Sequence, residues 1–310
     1  MLKKMNSSQL ISIMKKNTNN KRRRVIEQGS KVVLLLCALV SITAVIAITL
    51  YIVNQGVPFF SEVSFTEFMF SLDWSPSADI PKYGIASFIL ASFEVVLIAI
   101  ILAIPVGLST AIFLSEFAKG KLSKIVRNTI ELLAGIPSII YGLFGIAIVV
   151  PAVRNTFGGN GYSLLSASII LAIMILPTII NISEVSIRTV PDALRHASIA
   201  MGATKWQTIY KVVVPAAVKG IVTSIILALG RAIGETTAVL LVGGNAAVFA
   251  KYPTDMGRTL TMNIITDMSY AEGTHLSALF ATAMLLFIFI LLLNFIVVYI
   301  SNKSKVGAGE

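Results

Sequence analysis

Residues 32–53 read VVLLLCALVSITAVIAITLYIV, about 22 residues without one charged side chain. A helix satisfies its own backbone hydrogen bonds, so a run of this length can cross a hydrocarbon core about 30 Å thick. Similar runs recur along the chain, and the expected spans are 32–53, 84–114, 128–150, 163–182, 216–242 and 276–300. Soluble domains carry about 25% charged residues. Here the fraction is 13%, against 56% hydrophobic. The first run follows a basic segment, lacks a small-residue cleavage site and is long enough to span, so it reads as a helix and not as a signal peptide. Pro105 and Gly107 are expected to kink the second. The expected fold class is all-α integral membrane with six transmembrane helices. The single Cys37 lies in an apolar run and leaves no disulfide framework or thiol metal cluster.

Charge sets the expected orientation. Of 25 Lys and Arg, 20 fall before the first span, between spans two and three, on or beside the loop between spans four and five, and after the sixth. Four fall on the other side, Lys82, Arg154, Lys251 and Arg258. Positive-inside reasoning makes both termini cytoplasmic. The net charge of +10 and the KRRR run at 21–24 then serve as an anchor beside a lipid bilayer, with no nucleic-acid partner. The expected divisions are a basic, partly disordered tail at 1–31, a six-span domain at 32–300 and a short tail at 301–310. The first outer loop, 54–83, holds Phe59, Phe60, Phe65, Phe68, Phe70 and Trp74, which suit either an interfacial helix or a docking surface.

One polar segment, PDALRHASIAMGATKWQTIYKVVVP at 191–215, interrupts the apolar pattern. Pro191 suits a first helical turn, Gly202 a helix end and Thr204 the cap of a second helix. Trp206, Ile209, Tyr210 and Val213 then form one apolar face, and Pro215 resets the chain before the next run. Such a pair of helices either lies on the lipid surface or docks a partner.

Ionisable groups inside apolar runs point to function, because a mid-bilayer charge costs about 2.5–3.5 kcal/mol. Arg231 and Glu235, in GRAIGETTAV, stand four residues apart on one expected helix face. They read either as a self-neutralising pair or as an anion site, in which the Arg fork meets oxyanion oxygens and Thr236 and Thr237 add hydroxyls. Glu94 is a further candidate, a partner for a buried cation, and Glu131 sits near a span end. The run Ala134-Gly135-Ile136-Pro137-Ser138 is either a packing kink or a pore-lining break that turns the Ser138 hydroxyl to the path. No catalytic spacing is present, and His196 and His275 lie on opposite sides of the expected topology, too far apart for a metal pair. No phosphate-binding GxxxxGK[ST] loop occurs either.

The 191–215 segment resembles the coupling loop of ABC-importer permeases, E-A-A-x3-G-x9-I-x-L-P. His196, Ala197 and Ser198 stand at E-A-A, Gly202 at the Gly, and Val212, Val214 and Pro215 at I-x-L-P; the Glu and the second Ala are replaced. Together with LSEFA at 114–118, GIPSIIYGLFG at 135–145, LAIMILPTI at 171–179 and GRAIGETTAV at 230–239, the chain resembles the phosphate-specific ABC-importer permeases, PstC-type more than PstA-type, over about residues 31–301. That resemblance implies the type I, MetI-like six-span fold with a two-helix cytoplasmic coupling loop, in a bacterial cell membrane. It implies a PstA-like second permease, two PstB-like ATPase subunits and a PstS-like extracellular phosphate-binding protein. This chain would bind no cofactor of its own, with ATP and Mg on the partner subunits. It places Arg231 and Glu235 on the phosphate path, with Thr236, Thr237, Ser138 and Glu94 as further candidates. Arg195, His196, Ala197, Ser198, Gly202, Ala203, Trp206 and Pro215 fall in ATPase coupling. The rival readings are a permease for sulfate, molybdate or another oxyanion, and a non-transporting membrane scaffold or sensor.

Overall fold

The computed structural model describes residues 7–303, with side chains from 27 to 296. Residues 1–6 and 304–310, and the expectations that fall on them, lie outside this range. Six helical stretches are long and apolar enough to cross a membrane, Glu27–Ser61, Ala86–Phe117, Ser138–Phe157, Leu164–Arg188, Lys205–Ile233 and Gly273–Ile296. The chain divides into two units, residues 1–54 and residues 55–310.

The first unit is one helix, α1 (Ser7–Gly56). From Ser7 onward the basic segment is helical and continuous with the span, not a disordered tail. Its Gln, Lys, Arg and Met residues are good helix formers.

The second unit opens on a small aromatic layer. A 3₁₀ turn (Val57–Ser61), α2 (Phe65–Phe70) and a hairpin of β1 (Trp74–Ser75) and β2 (Lys82–Tyr83) fold over one another. Trp74 pairs with Tyr83 across the hairpin. Phe59 packs edge to face on Phe68 and on Tyr83, with centroids 5.0 and 5.6 Å apart, geometries that favour aromatic quadrupoles. Phe59, Phe68 and Trp74 are therefore core, whereas Phe65 and Phe70 are exposed.

The long helix α3 (Ala86–Ile112) runs unbroken through Pro105 and ends in a π turn, Phe113–Phe117. The amphipathic α4 (Gly120–Gly135) follows. The third span starts later than expected, at Ser138, because Pro137 holds φ −59° and ψ 142° and separates α4 from α5 (Ser138–Phe144). It also ends later. A π turn at Gly145–Val149 leads into α6 (Val150–Phe157), so Pro151 lies inside the span and not in the loop after it. A proline inside a helix lacks an N–H and clashes with the carbonyl four residues back. The wider π turn just upstream removes that conflict.

The central helix is α7 (Leu164–Arg188), capped by Ser163, whose hydroxyl accepts from Ser166 N at 3.1 Å. Ile170, Leu171, Ile175 and Ile179 on it are fully buried. Gly107 lets α3 approach. A methyl there would stand 2.8 Å from Ile179 Cγ2.

Next come α8 (Asp192–Ala200) and α9 (Lys205–Thr208). A third π turn, Ile209–Val213, joins α9 to α10 (Val214–Ile233). Pro215 thus continues a helix already under way, by the same device as Pro151, and does not reset the chain. The expected fifth span is broken after Ile233 and resumes as α11 (Thr237–Val242). A connecting segment with a parallel bridge between Gly244 and Gly257 leads to α12 (Leu260–Asp267) and the last helix, α13 (Gly273–Lys303).

Candidate functional site

Arg231 lies in the last turn of α10. Gly234 caps that helix at φ −82° and ψ −6°, and Thr236 turns the chain at φ −124° and ψ −54° before α11 begins at Thr237. Arg231 and Glu235 therefore do not share a helix face. Among the described residues no ion pair or hydrogen bond joins them, so the self-neutralising pair is ruled out. The Glu235 carboxylate turns forward instead, its Oε1 accepting from Ala238 N at 3.0 Å. A negative charge at a helix N-terminus is favoured there. The Glu235 carbonyl accepts from Thr261 Oγ1 at 3.1 Å, which ties the break to α12. The Arg231 side chain is left exposed on the second unit.

The other break, at Ile136 and Pro137, opens α5. That helix and the π turn after it pack closely on α11 and α7: a methyl at Gly142 would lie 3.1 Å from Leu241 Cβ, and one at Gly145 would lie 2.9 Å from Ile170 Cγ1. Ser138 is the first residue of α5, half-buried. Glu235 shares a narrow cleft with Ser92, Val95, Leu171, Val239 and Thr261. Leu260 N donates to Ser92 Oγ at 2.9 Å across it. Glu94, one turn further along α3 than Leu90, makes no ion pair among the described residues, so the expected cation partner is not found.

The loop at 191–215 is folded by its own side chains. Gly202 turns at φ +87°, a conformation that L side chains rarely adopt. Thr204 and Gln207 form a capping box, with Gln207 N donating to Thr204 Oγ1 at 3.3 Å and Thr204 N to Gln207 Oε1 at 2.8 Å. The hydroxyls of Ser198 and Thr208 join α8 to α9 at 2.9 Å. The surface of the pair carries the exposed apolar side chains of Leu194, Ile199, Met201, Trp206 and Tyr210. Trp206 and Tyr210 thus part from Ile209 and Val213, which are buried. The π turn splits the single apolar face expected from the sequence into an inner and an outer half.

Six spans, with chain breaks at Pro137 before the third and after Ile233 at the end of the fifth, and a folded two-helix segment leading into the fifth, constitute a specific arrangement. Residues 103–306 match the family of binding-protein-dependent transport system inner membrane components. The chain belongs to that family. The probable ABC transporter permease protein YqgH of Bacillus subtilis is 38% identical over 285 residues, 90% of this chain and 92% of its own. The phosphate transport system permease protein PstC of Xylella fastidiosa is 35% identical over 254 residues, 76% of this chain and 75% of its own. Among solved structures, the MetNI methionine ABC transporter in inward-facing form aligns with a TM-score of 0.57 at 22% identity, over 71% of this chain and 95% of that one. A bacterial alginate ABC transporter aligns at 0.58 and 16% identity, over 88% and 94%. At that identity these two establish the fold, which is the expected MetI-like six-span arrangement.

Within the permease, the residues assigned to coupling divide. His196, Ala197, Gly202, Trp206 and Pro215 are exposed. Ala203 is half-buried, and Ser198 is spent on its bond to Thr208. Arg195 turns inward. Its Nη2 donates to Glu116 Oε1 and to the Ile187 carbonyl, each at 2.9 Å, and its Nη1 donates to the Val190 carbonyl.

Three acidic residues that sequence reasoning passed over hold arginines in ion pairs. Glu116 holds Arg195. Glu184 is buried and holds Arg127 and, at 2.9 Å, Arg188 Nε; the i,i+4 spacing of Glu184 and Arg188 was a usable signal. Asp267 accepts from Trp74 Nε1 at 2.9 Å, Arg258 Nη1 at 3.0 Å and Tyr270 OH at 2.7 Å, and lies 3.3 Å from His275 Nε2. Burial alone would raise its pKa. The hydrogen bonds from Tyr270 and Trp74, the Arg258 charge and the His275 bond outweigh burial and hold the carboxyl below its ordinary value. The Tyr270 phenol is pushed up by burial and by its bond to Asp267.

Proposed function

We propose that this permease conducts inorganic phosphate inward as part of an ATP-driven importer, with both termini and the two-helix loop cytoplasmic. A PstA-like permease completes the membrane part. Two PstB-like ATPase subunits, which carry ATP and Mg, engage the apolar surface of α8 and α9. A PstS-like protein delivers phosphate outside. Closure of the ATPases moves the loop and rocks the spans, so the region near Arg231 alternates its access. Three things support the reading: the PstC relatives, the exposed apolar loop, and above all the break after Ile233.

That break is the observation that carries the substrate class. Supporting it, the Arg231 side chain is exposed and makes no ion pair among the described residues, and the Glu235 carboxylate four positions on is turned to Ala238 N. A guanidinium fork matches tetrahedral oxyanions. A carboxylate accepts hydrogen bonds only. Phosphate at neutral pH still carries a proton to donate, and sulfate does not, so Glu235 favours phosphate.

The test is uptake of labelled phosphate in cells lacking this chain and in cells re-expressing it, with excess sulfate or molybdate. Restored uptake that ignores both competitors is expected, and Arg231→Ala should abolish it. Competition by sulfate or molybdate would move the substrate to another oxyanion. Full uptake in Arg231→Ala would remove Arg231 from the path.

A further inference from the structure

We propose that the Glu116–Arg195 ion pair is the joint that passes movement of α8 and α9 into α3, which makes both of them positioning residues for coupling. The inference rests on the reading of the two-helix loop as the surface engaged by an ATPase.

The span Ala86–Phe117 ends in the π turn Phe113–Phe117. The last carbonyls of a helix have no partner within it and carry partial negative charge. Three cations from the loop side meet this end. Arg188 Nη2 donates to the Leu114 carbonyl at 3.0 Å. Lys205 Nζ donates to the Glu116 carbonyl at 2.8 Å and lies 4.2 Å from the centre of the Phe117 ring. Arg195 reaches the Glu116 carboxylate itself, at 2.9 Å.

Arg195 and Glu116 are 16% and 10% exposed, so water screens this pair poorly. Arg195 also holds the carbonyls of Ile187 and Val190. One guanidinium thus fixes the end of α7, the start of α8 and the end of α3 as one body. Trp206 adds a ring contact to Phe117, with centroids 5.1 Å apart. Both helices of the loop therefore converge on one π turn. At its far end α3 carries Ser92, which lines the cleft shared with Glu235. A displacement of α8 reaches that cleft along a single continuous helix.

Two readouts test the joint in the assembled transporter. The first is phosphate taken up per ATP hydrolysed in proteoliposomes. Glu116→Gln and Arg195→Gln should each lower this ratio on the order of ten-fold. The second needs no substrate. With Cys37 replaced by Ser, spin labels at Ala193→Cys and Phe93→Cys should hold a constant separation when ATP is added, and Glu116→Gln should abolish that constancy. Glu116→Asp, which keeps the charge, should retain it. An unchanged ratio, or a separation that stays constant in Glu116→Gln, would each overturn the joint, as would a separation that changes with Glu116 intact. A constant separation that Glu116→Gln releases on adding ATP, with no phosphate uptake, would support the joint and overturn the phosphate reading alone.

Discussion

Replacing Asp267 with Asn exchanges an oxygen for an NH₂ group and should cost about 3 kcal/mol. Oδ1 accepts from Arg258 and Tyr270, and Oδ2 from Trp74. An amide has one acceptor oxygen and turns an NH₂ group toward the other donors. Arg258 is 11% exposed, so its charge loses its counter-ion where water cannot follow. Losing one member of a buried ion pair costs about 3–5 kcal/mol. The lower end applies because Arg258 keeps Asn263 Oδ1 at 3.0 Å and the Asn245 carbonyl at 3.3 Å. At about 2–4 °C per kcal/mol for a chain of this size, the melting midpoint should fall by about 6–12 °C. Thermal unfolding of the purified permease in detergent measures it, read by fluorescence in a Trp206→Phe background. The remaining indole, Trp74, is itself a donor to Asp267. The pH dependence has a fixed sign. The folded pKa lies below the ordinary aspartate value of about 3.8, so this stabilisation is complete above that value and is lost as pH falls through the lower, folded one. The gap between Asp267 and Asn should be full at pH 7 and narrow in acid. A midpoint drop under about 2 °C at pH 7, or a gap indifferent to acid, would refute the reasoning.

Glu184→Gln should cost less, about 1–2 kcal/mol, because Arg127 and Arg188 are 38% and 48% exposed and can be rehydrated; a loss larger than that of Asp267→Asn in the same melt would contradict this. Gly107→Ala places a methyl against Ile179 Cγ2, an overpacking cost of about 1–3 kcal/mol partly offset by the better helix propensity of Ala, about 1 kcal/mol. Ile179→Ala removes the obstructing methyl, so the double variant should melt above the sum of the two singles. Strict additivity would show that the two residues do not touch.

Much of the fold was legible because it is written locally. Six apolar runs gave the order of the spans, and Gly202 and Thr204 gave the turn between α8 and α9. Pro137 marked its break. Pro151 and Pro215 misled, since each reads as a helix end. The π turns at Gly145–Val149 and Ile209–Val213 that accommodate them have no equally plain sequence signature. The break after Ile233 was also hidden. Gly234 is tolerated within helices, and the bond from Ala238 to Glu235, together with Thr261 on the Glu235 carbonyl, selects the interrupted form. The pairs Glu116–Arg195 and Trp74–Asp267 join residues 79 and 193 positions apart. No periodicity connects such positions, so the ends of α3 and α12 gained their roles only in three dimensions.

An arginine left facing outward from a membrane-spanning segment also bears on how a cell accounts for this subunit. While the chain is alone in the bilayer, Arg231 must draw water or headgroups toward itself, at a cost of about 2.5–3.5 kcal/mol if it sits near the bilayer centre. Association that covers or solvates Arg231 relieves that cost and so favours the assembled state by mass action. An unassembled copy stays the less stable species, open to membrane proteases. Arg231 would then serve as a tag for orphan subunits, and degradation of the surplus would keep this chain in step with its partners even when their synthesis is unequal.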